Sequence, residues 1–418
     1  MTFKELQLHK TILRAVAELG YDSPTSVQTK TIPVVLKGFD VISSAQTGTG
    51  KTAAFALPIL QNLLKYQDSG KGKKAVRALI ISPTRELAEQ INQDFIKYGT
   101  YTNLRSTVVY GGTAIEPQID RLKKGVDILI ATPGRLLDLF KREKVKLNAI
   151  ETLVLDEADL MLDMGFINDV NKIVKITNLQ KQILLFSATM PQKVIDLTTS
   201  VLHQPITIKI SATSSVSKTV EQLLYYVPKR KKMELCLHLL RSLTTKKADK
   251  SKNNILIFRR TKFGVDKLEQ TLKRNGYQVV SFHGDKSQNI RQDALNKFKN
   301  GEVNILIATD VASRGIDIDD LDVVINFDLP NIPETYVHRI GRTGRAGKTG
   351  IAYSFCSRDE KSYVKNIQGL LNKALPVETE HPYPLEPKPD DKPKKRTGSK
   401  HKKGRKSTAS KKKKKRWY

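Results

Sequence analysis

Short runs of unalternated apolar residues recur along this chain with longer amphipathic stretches between them, and that alternation constrains the fold more than any other feature. In the first half the runs include Asp40-Val41-Ile42-Ser43, Ala78-Leu79-Ile80-Ile81, Asp127-Ile128-Leu129-Ile130, Leu153-Val154-Leu155 and Ile183-Leu184-Leu185-Phe186. A strand that is apolar on both faces suits the interior of a parallel sheet covered on both sides. Helix-like segments lie between the runs, for example Glu86 to Tyr98 and Gly134 to Phe140. Strand and helix in series predict an open α/β sheet with right-handed crossovers. The pattern lapses at 210–218, a Ser/Thr-rich stretch read as a linker, and resumes with Ile255-Leu256-Ile257-Phe258, Val279-Val280-Ser281-Phe282, Ile305-Leu306-Ile307-Ala308 and Val323-Val324-Ile325. Two α/β domains are therefore predicted, at 1–209 and 219–375.

Beyond 375, proline and lysine take over. From Glu386 onward there are sixteen Lys/Arg against three acidic residues. Such a segment has too little apolar surface to fold, so 376–418 is predicted to be a disordered basic tail. The whole chain carries a formal net charge of +30, and a surplus of that size points to a polyanionic partner, most commonly nucleic acid. The tail supplies less than half of it. Two cysteines, Cys236 and Cys356, lie far apart without a CxxC spacing, which argues against a zinc site or a disulfide framework. With no apolar run long enough to span a bilayer and no leader-like N-terminus, a soluble cytoplasmic protein is expected.

The segment Ala45-Gln46-Thr47-Gly48-Thr49-Gly50-Lys51-Thr52 follows a predicted strand and precedes a helix-compatible run. In that context glycines let backbone N–H groups turn toward phosphate oxygens at a helix N-terminus. Lys51 would reach the terminal phosphates and the Thr52 hydroxyl would ligate Mg²⁺. Ala45 stands where the strict pattern has glycine. Asp156-Glu157-Ala158-Asp159 directly follows Leu153-Val154-Leu155, at the carboxyl end of a strand where open α/β sheets hold ligands. Asp156 can hold the metal, and Glu157 can orient and deprotonate an attacking water. Phosphoryl transfer also needs positive charge in the transition state. His338-Arg339-Ile340-Gly341-Arg342-Thr343-Gly344-Arg345 supplies it from the second half, with Arg342 and Arg345 as candidate fingers across an interdomain cleft.

Taken in order, these segments resemble the DEAD-box RNA helicases over about residues 1–375. The resemblance implies two tandem RecA-like domains, ATP and Mg²⁺ as cofactors, and RNA as partner. By the same resemblance Phe3 would stack on adenine and Gln28, within Ser23-Pro24-Thr25-Ser26-Val27-Gln28, would bond its edge. Thr84 and Arg85 in Pro83-Thr84-Arg85-Glu86-Leu87-Ala88, Gly112, and Thr132 and Arg135 in Thr132-Pro133-Gly134-Arg135 would line the RNA face of the first domain. Ser187-Ala188-Thr189 would couple hydrolysis to strand separation through Asp159, with His338 as a further coupling residue. In the second domain Ile257-Phe258 with Gln288 and Arg291, then Thr309, Arg314 and Asp317, match the remaining family elements; by the resemblance Thr309 and Arg314 would contact RNA and Asp317 would meet the ATP ribose. Arg259-Arg260-Thr261 departs from the usual aliphatic or polar pair. The motif wording, the short N-terminal region and the single basic tail look most like the bacterial RhlE-type branch.

The expected mechanism is closure of two domains over ATP and single-stranded RNA, with local melting of short duplexes and no processive translocation by a monomer. Two other readings share the sequence: an RNA annealer driven by the tail, and a DNA translocase on the same plan. The motifs touch backbone and nucleotide, so they leave the RNA target and any ribosomal or degradation-machinery partner unaddressed. Trp417-Tyr418 could stack on bases.

Overall fold

The computed structural model describes residues 1–45, 48–67, 75–178, 180–210, 220–245, 253–313, 318, 321–344 and 349–386. Met1–Pro384 is one compact unit built on two parallel seven-stranded sheets. The first comprises β1 (Val41–Ser44), β2 (Ala78–Ile81), β3 (Ser106–Val109), β4 (Ile128–Ala131), β5 (Thr152–Leu155), β6 (Gln182–Ser187) and β7 (Ile206–Lys209), in the spatial order 3-4-2-5-6-1-7. The second comprises β8 (Val220–Tyr226), β9 (Ile255–Phe258), β10 (Val279–Phe282), β11 (Ile305–Ala308), β12 (Val323–Asn326), β13 (Gly350–Cys356) and β14 (Val377–Glu378), in the order 10-11-9-12-13-8-14. Numbered from its own first strand, the second sheet repeats the order of the first.

The apolar runs are continuous because both faces of each sheet are covered. Ile80, Ile130, Val154 and Leu184 join one core with the helices Lys51–Gln67 and Arg85–Tyr98. Their neighbours Leu79, Ile81, Leu129, Leu153 and Leu185 join the other. In the second sheet Ile255, Ile257, Ile305 and Ile307 pack on one side and Leu256, Phe258, Leu306 and Ala308 on the other. Helix Arg85–Tyr98 shows how the local sequence sets an element. The Thr84 hydroxyl accepts from Leu87 N at 3.3 Å as an N-cap, and Leu87, Ile91, Phe95 and Tyr98 recur at helical spacing on its buried face.

One sequence expectation changes. Residues 376–383, assigned above to the tail, belong to the second domain: β14 pairs in parallel with β8, the Tyr225 ring meets His381 edge-on at 5.4 Å, and Tyr383 packs on the adjoining core. Two residues of strand at a sheet edge leave almost no periodic signal. The remainder of the expected tail, 387–418, lies outside the described residues, as does 211–219, nearly all of the expected linker. Both cysteines are buried thiols, each pushed up to about 12 by desolvation. Among the described residues no helix is long and apolar enough to cross a membrane.

Candidate nucleotide and nucleic-acid site

The carboxyl ends of β1 and β5 gather the motif residues around a cleft of about 450 Å³. The chain leaves β1 through Ala45 and enters the helix Lys51–Gln67 at the phosphate loop, so the first amides of that helix open toward the cleft. Gly48 and Gly50 take left-handed backbone, φ 83° and 88°, which favours glycine. A Cβ on Gly50 would also lie 2.4 Å from Gln28 Nε2. Gln28 is buried and braces the loop: its Nε2 donates to Gly50 O at 3.2 Å, and its Oε1 accepts from Thr25 N at 2.9 Å. The Thr25 hydroxyl donates to Thr49 O at 2.8 Å. Gln28 thus keeps one N–H and one lone pair for a base edge. Phe3 belongs to the hydrophobic core and also lines the cleft, as do Gly48, Gly50 and Thr52.

Lys51 Nζ lies 2.6 Å from Glu157 Oε1, with both groups buried. Burial by itself lowers the Lys51 pKa, but Glu157 and Asp156 outweigh it and hold the ammonium above its ordinary value. Asp156 is pushed up to about 7, first by burial and then by the charge of Glu157, with Lys51 opposing. Its Oδ1 is buried without a hydrogen-bond partner. Glu157 itself sits in left-handed backbone (φ 49°, ψ 54°) at the start of the helix Ala158–Asp163, a conformation costly for a residue with a Cβ. Asp159 Oδ2 accepts from Thr189 N at 2.9 Å and from Thr189 Oγ1 at 2.7 Å. The Asp159 amide donates to Ser187 Oγ at 3.2 Å. Burial raises the Asp159 pKa, but His338 of the second domain and the Thr189 bonds outweigh it and hold the carboxyl below its usual range.

A second set of residues lies on the loops after β2, β3, β4 and β11. The Arg85 guanidinium lies against Gly112, where a Cβ would come within 2.3 Å of it. Thr132 precedes the helix Pro133–Lys141. Arg135 Nη2 donates to Thr113 O at 3.0 Å, while its Nη1 is buried without a partner. Thr309 follows β11 and is buried. The two domains meet at Glu86: its Oε1 accepts from Gln288 Nε2 at 2.9 Å, and its Oε2 lies 2.6 Å from Arg291 Nη2.

The DEAD/DEAH box helicase family matches residues 25–197, and the helicase conserved C-terminal domain matches residues 231–347. The chain is 44% identical over 378 residues to the ATP-dependent RNA helicase CshA of Limosilactobacillus reuteri, covering 90% of this chain and 73% of that one. It is 43% identical over 374 residues to the DEAD-box ATP-dependent RNA helicase RhpA of Helicobacter pylori, covering 90% and 73%. This chain is a DEAD-box RNA helicase. Solved structures agree. Mss116p bound to ssRNA and AMP-PNP superposes with a TM-score of 0.82 at 29% identity, over 93% of this chain and 79% of that one. Dbp5 of S. cerevisiae bound to RNA and ADP BeF3 gives 0.77 at 28%, over 90% and 95%. As a DEAD-box helicase the chain is an ATP hydrolase with two RecA-like domains.

Of the residues read from sequence, Lys51, Asp156 and Glu157 converge directly, and Asp159, Ser187 and Thr189 form one bonded group beside them. Arg342 is buried just past the helix Pro333–Ile340, with its carbonyl accepting from Leu321 N at 3.2 Å. Thr47, Arg314, Asp317 and Arg345 lie outside the described residues. Sequence reading missed the Glu86 junction and the role of Arg339. Buried Arg339 grips Asp310 through Nε at 2.5 Å and Nη2 at 2.7 Å, bonds Asn326 Oδ1 at 3.0 Å and Asp328 O at 2.7 Å, and stacks 4.8 Å from the centre of the Phe258 ring. Asp310 follows Thr309, so Arg339 joins that helicase element to the one holding His338 and Arg342. The signal available in the sequence was an arginine between two motif residues at the end of an amphipathic helix.

Proposed function

We propose that this helicase hydrolyses ATP in the cleft of the first domain and couples each turnover to a closure that melts short RNA duplexes locally. The observation that carries the reading is the single cleft in which Lys51, Asp156 and Glu157 meet, with Asp159 bonded to Thr189. Before nucleotide binds, Lys51 neutralises Glu157. The phosphates of ATP compete for the Lys51 ammonium and release the Glu157 carboxylate, which orients and deprotonates water. Gln28 transmits occupancy of the base site to Gly50 by the bond it already makes, and Phe3 offers its ring at the same end of the cleft. Arg342, with Arg345, supplies positive charge to the transferred group from the second domain, while Asp317 meets the ribose.

Mg²⁺ fits the residues present. No cluster of three His, Cys, Asp or Glu gathers among the described residues, and Mg²⁺ prefers one or two carboxylates completed by water and phosphate. Asp156, whose Oδ1 lacks a partner, and Thr52 would hold it, and it would neutralise developing charge on the phosphates.

RNA runs over the backbone-contacting donors Thr84, Arg85, Gly112, Thr132 and Arg135 of the first domain and Thr309 and Arg314 of the second. ATP and RNA each favour the closed state, so each tightens the other. The proposal extends to a cytoplasmic monomer. It keeps the RhlE-type placement on motif wording, although the relatives named above carry the CshA and RhpA names. Steady-state hydrolysis without nucleic acid, with single-stranded RNA and with DNA of the same sequence tests the reading, with Glu157→Gln as control. Stimulation by RNA alone, lost in the variant, is expected. Equal stimulation by DNA would favour a general translocase, and none by either would favour the tail-driven annealer.

A further inference from the structure

A second hollow, apart from the nucleotide cleft, lies at the opposite end of the first sheet. It has a volume of about 630 Å³ and opens where β3 and β4 begin and the helix Arg85–Tyr98 ends. Leu104 contributes to its apolar floor over the buried Phe95, and half-exposed Ile96 stands at its rim. Arg105, Arg121 and Lys124 form its polar wall, and among the described residues no acidic one lines it.

Those three cations differ from others on the same domain. Lys123, Arg142 and Lys172 each pair with an aspartate one turn away, Asp120, Asp138 and Asp169 respectively. Arg105 donates instead to Lys124 O at 3.1 Å, and Arg121 reaches Val108 O at 3.5 Å. Neither they nor Lys124 makes an ion pair among the described residues. An apolar floor ringed by cations that lack acidic partners is complementary to an amphipathic anion.

We propose that this hollow is a docking site for a protein partner, an extended acidic segment that inserts one or two bulky apolar side chains. Two features select this occupant. The Phe95 ring is buried within the core, so no open aromatic face is offered for a nucleic-acid base. The outer edge of β3 is also partly capped: Gln118 bonds both Tyr110 N and Tyr110 O, and Arg121 reaches Val108 O. Recognition therefore runs through side chains entering the hollow, rather than through addition of a strand. Because the site faces away from the strand ends that carry Lys51, Glu157 and Thr132, a partner can stay bound through the hydrolytic cycle.

The test uses the full chain and a labelled octapeptide, Asp-Glu-Asp-Leu-Phe-Glu-Asp-Glu, with a twin carrying Ser-Ser in place of Leu-Phe. Binding is compared in wild type, in Arg121→Glu/Lys124→Glu and in Ile96→Asp, at one salt concentration. We expect at least tenfold weaker peptide binding in the double variant and at least threefold in Ile96→Asp. The Ser-Ser twin should bind wild type about as weakly as the double variant binds the original. RNA-stimulated ATP turnover should be unchanged throughout, which also reports that the variants are folded. Equal binding of both peptides to all three proteins would overturn the proposal, since the basic C-terminal segment alone would then explain it. So would substitutions that weaken a twelve-nucleotide single-stranded RNA and spare the peptide, because the hollow would then be part of the RNA path.

Discussion

The two sheets share one strand order, yet among the described residues a phosphate loop follows the first strand in the first sheet only. After β1 the chain runs through Gly48 and Gly50 into Lys51, whereas after the equivalent β8 it runs through Val227 and Pro228 into a short 3-10 helix, Lys229–Lys231. After β5 come Asp156 and Glu157 facing the cleft, but the Asp328 that follows β12 is engaged by Arg259 at 3.3 Å within the second domain. On the strands that bear the proposed nucleic-acid residues the likeness is closer. Ile128-Leu129-Ile130-Ala131-Thr132 in the first domain and Ile305-Leu306-Ile307-Ala308-Thr309 in the second are identical and occupy equivalent places in the two sheets. Thr84 after β2 and Thr261 after β9 are both N-caps. The two halves share the strand ends proposed to follow a repeating backbone and differ at those proposed to bind a single nucleotide, so the proposed function makes hydrolysis asymmetric and the nucleic-acid track nearly symmetric.

That asymmetry can be broken experimentally. Lys51→Ala should lower RNA-stimulated turnover by about 10²–10³-fold, whereas Lys229→Ala, at the corresponding but exposed place in the second domain, should leave it within twofold. Comparable losses in steady-state assays would mean that both domains hold nucleotide. Glu86→Ala removes the junction to Gln288 and Arg291. Titrations should then show apparent affinities for ATP and RNA that each fall by about tenfold in the presence of the other, with little change when either is bound alone.

Protonation of Asp156 offers a further contrast with Asp328, which Arg259 engages within the second domain. With the Asp156 carboxyl pushed up to about 7 in the nucleotide-free protein, cation-dependent ATP binding should tighten by up to about tenfold per unit as pH rises toward 7 and then level off. Asp156→Asn should abolish that slope. The sign for stability is opposite. A folded-state value above the ordinary carboxylate value means that the native protein holds the extra proton, so this contribution is lost as pH rises from about 4 to about 7. The smallest effects belong to the symmetric track. Thr132→Val and Thr309→Val should each weaken RNA by about 3- to 10-fold, the worth of one neutral hydrogen bond, and by similar amounts in a binding titration.

Much of this is legible in the amino-acid sequence, for physical reasons that differ by element. Buried strands such as β2 and β11 announce themselves because both faces are apolar. The edge strands β3, β7 and β14 do not: β7 exposes three of its four residues, and β14 has only two. The repeated order would have located β14, since β7 occupies the corresponding edge. Lys51, Asp156 and Glu157 are local motifs whose chemistry is written in their neighbours. The left-handed backbone of Glu157, the loop-bracing bonds of Gln28 and the Glu86–Arg291 pair depend on residues distant in the chain, so no local pattern carries them.

In the proposed cycle a site seated in one domain is completed by the other, and Arg342→Ala removes the group that completes it. Single-turnover hydrolysis should be measured with ATP and single-stranded RNA both saturating, alongside the affinity for each. The expected result is a hydrolysis step slowed by about 10³-fold, with ATP and RNA still bound within a few-fold of wild type. Hydrolysis at the wild-type rate would contradict the account and place the whole of the chemistry in the first domain.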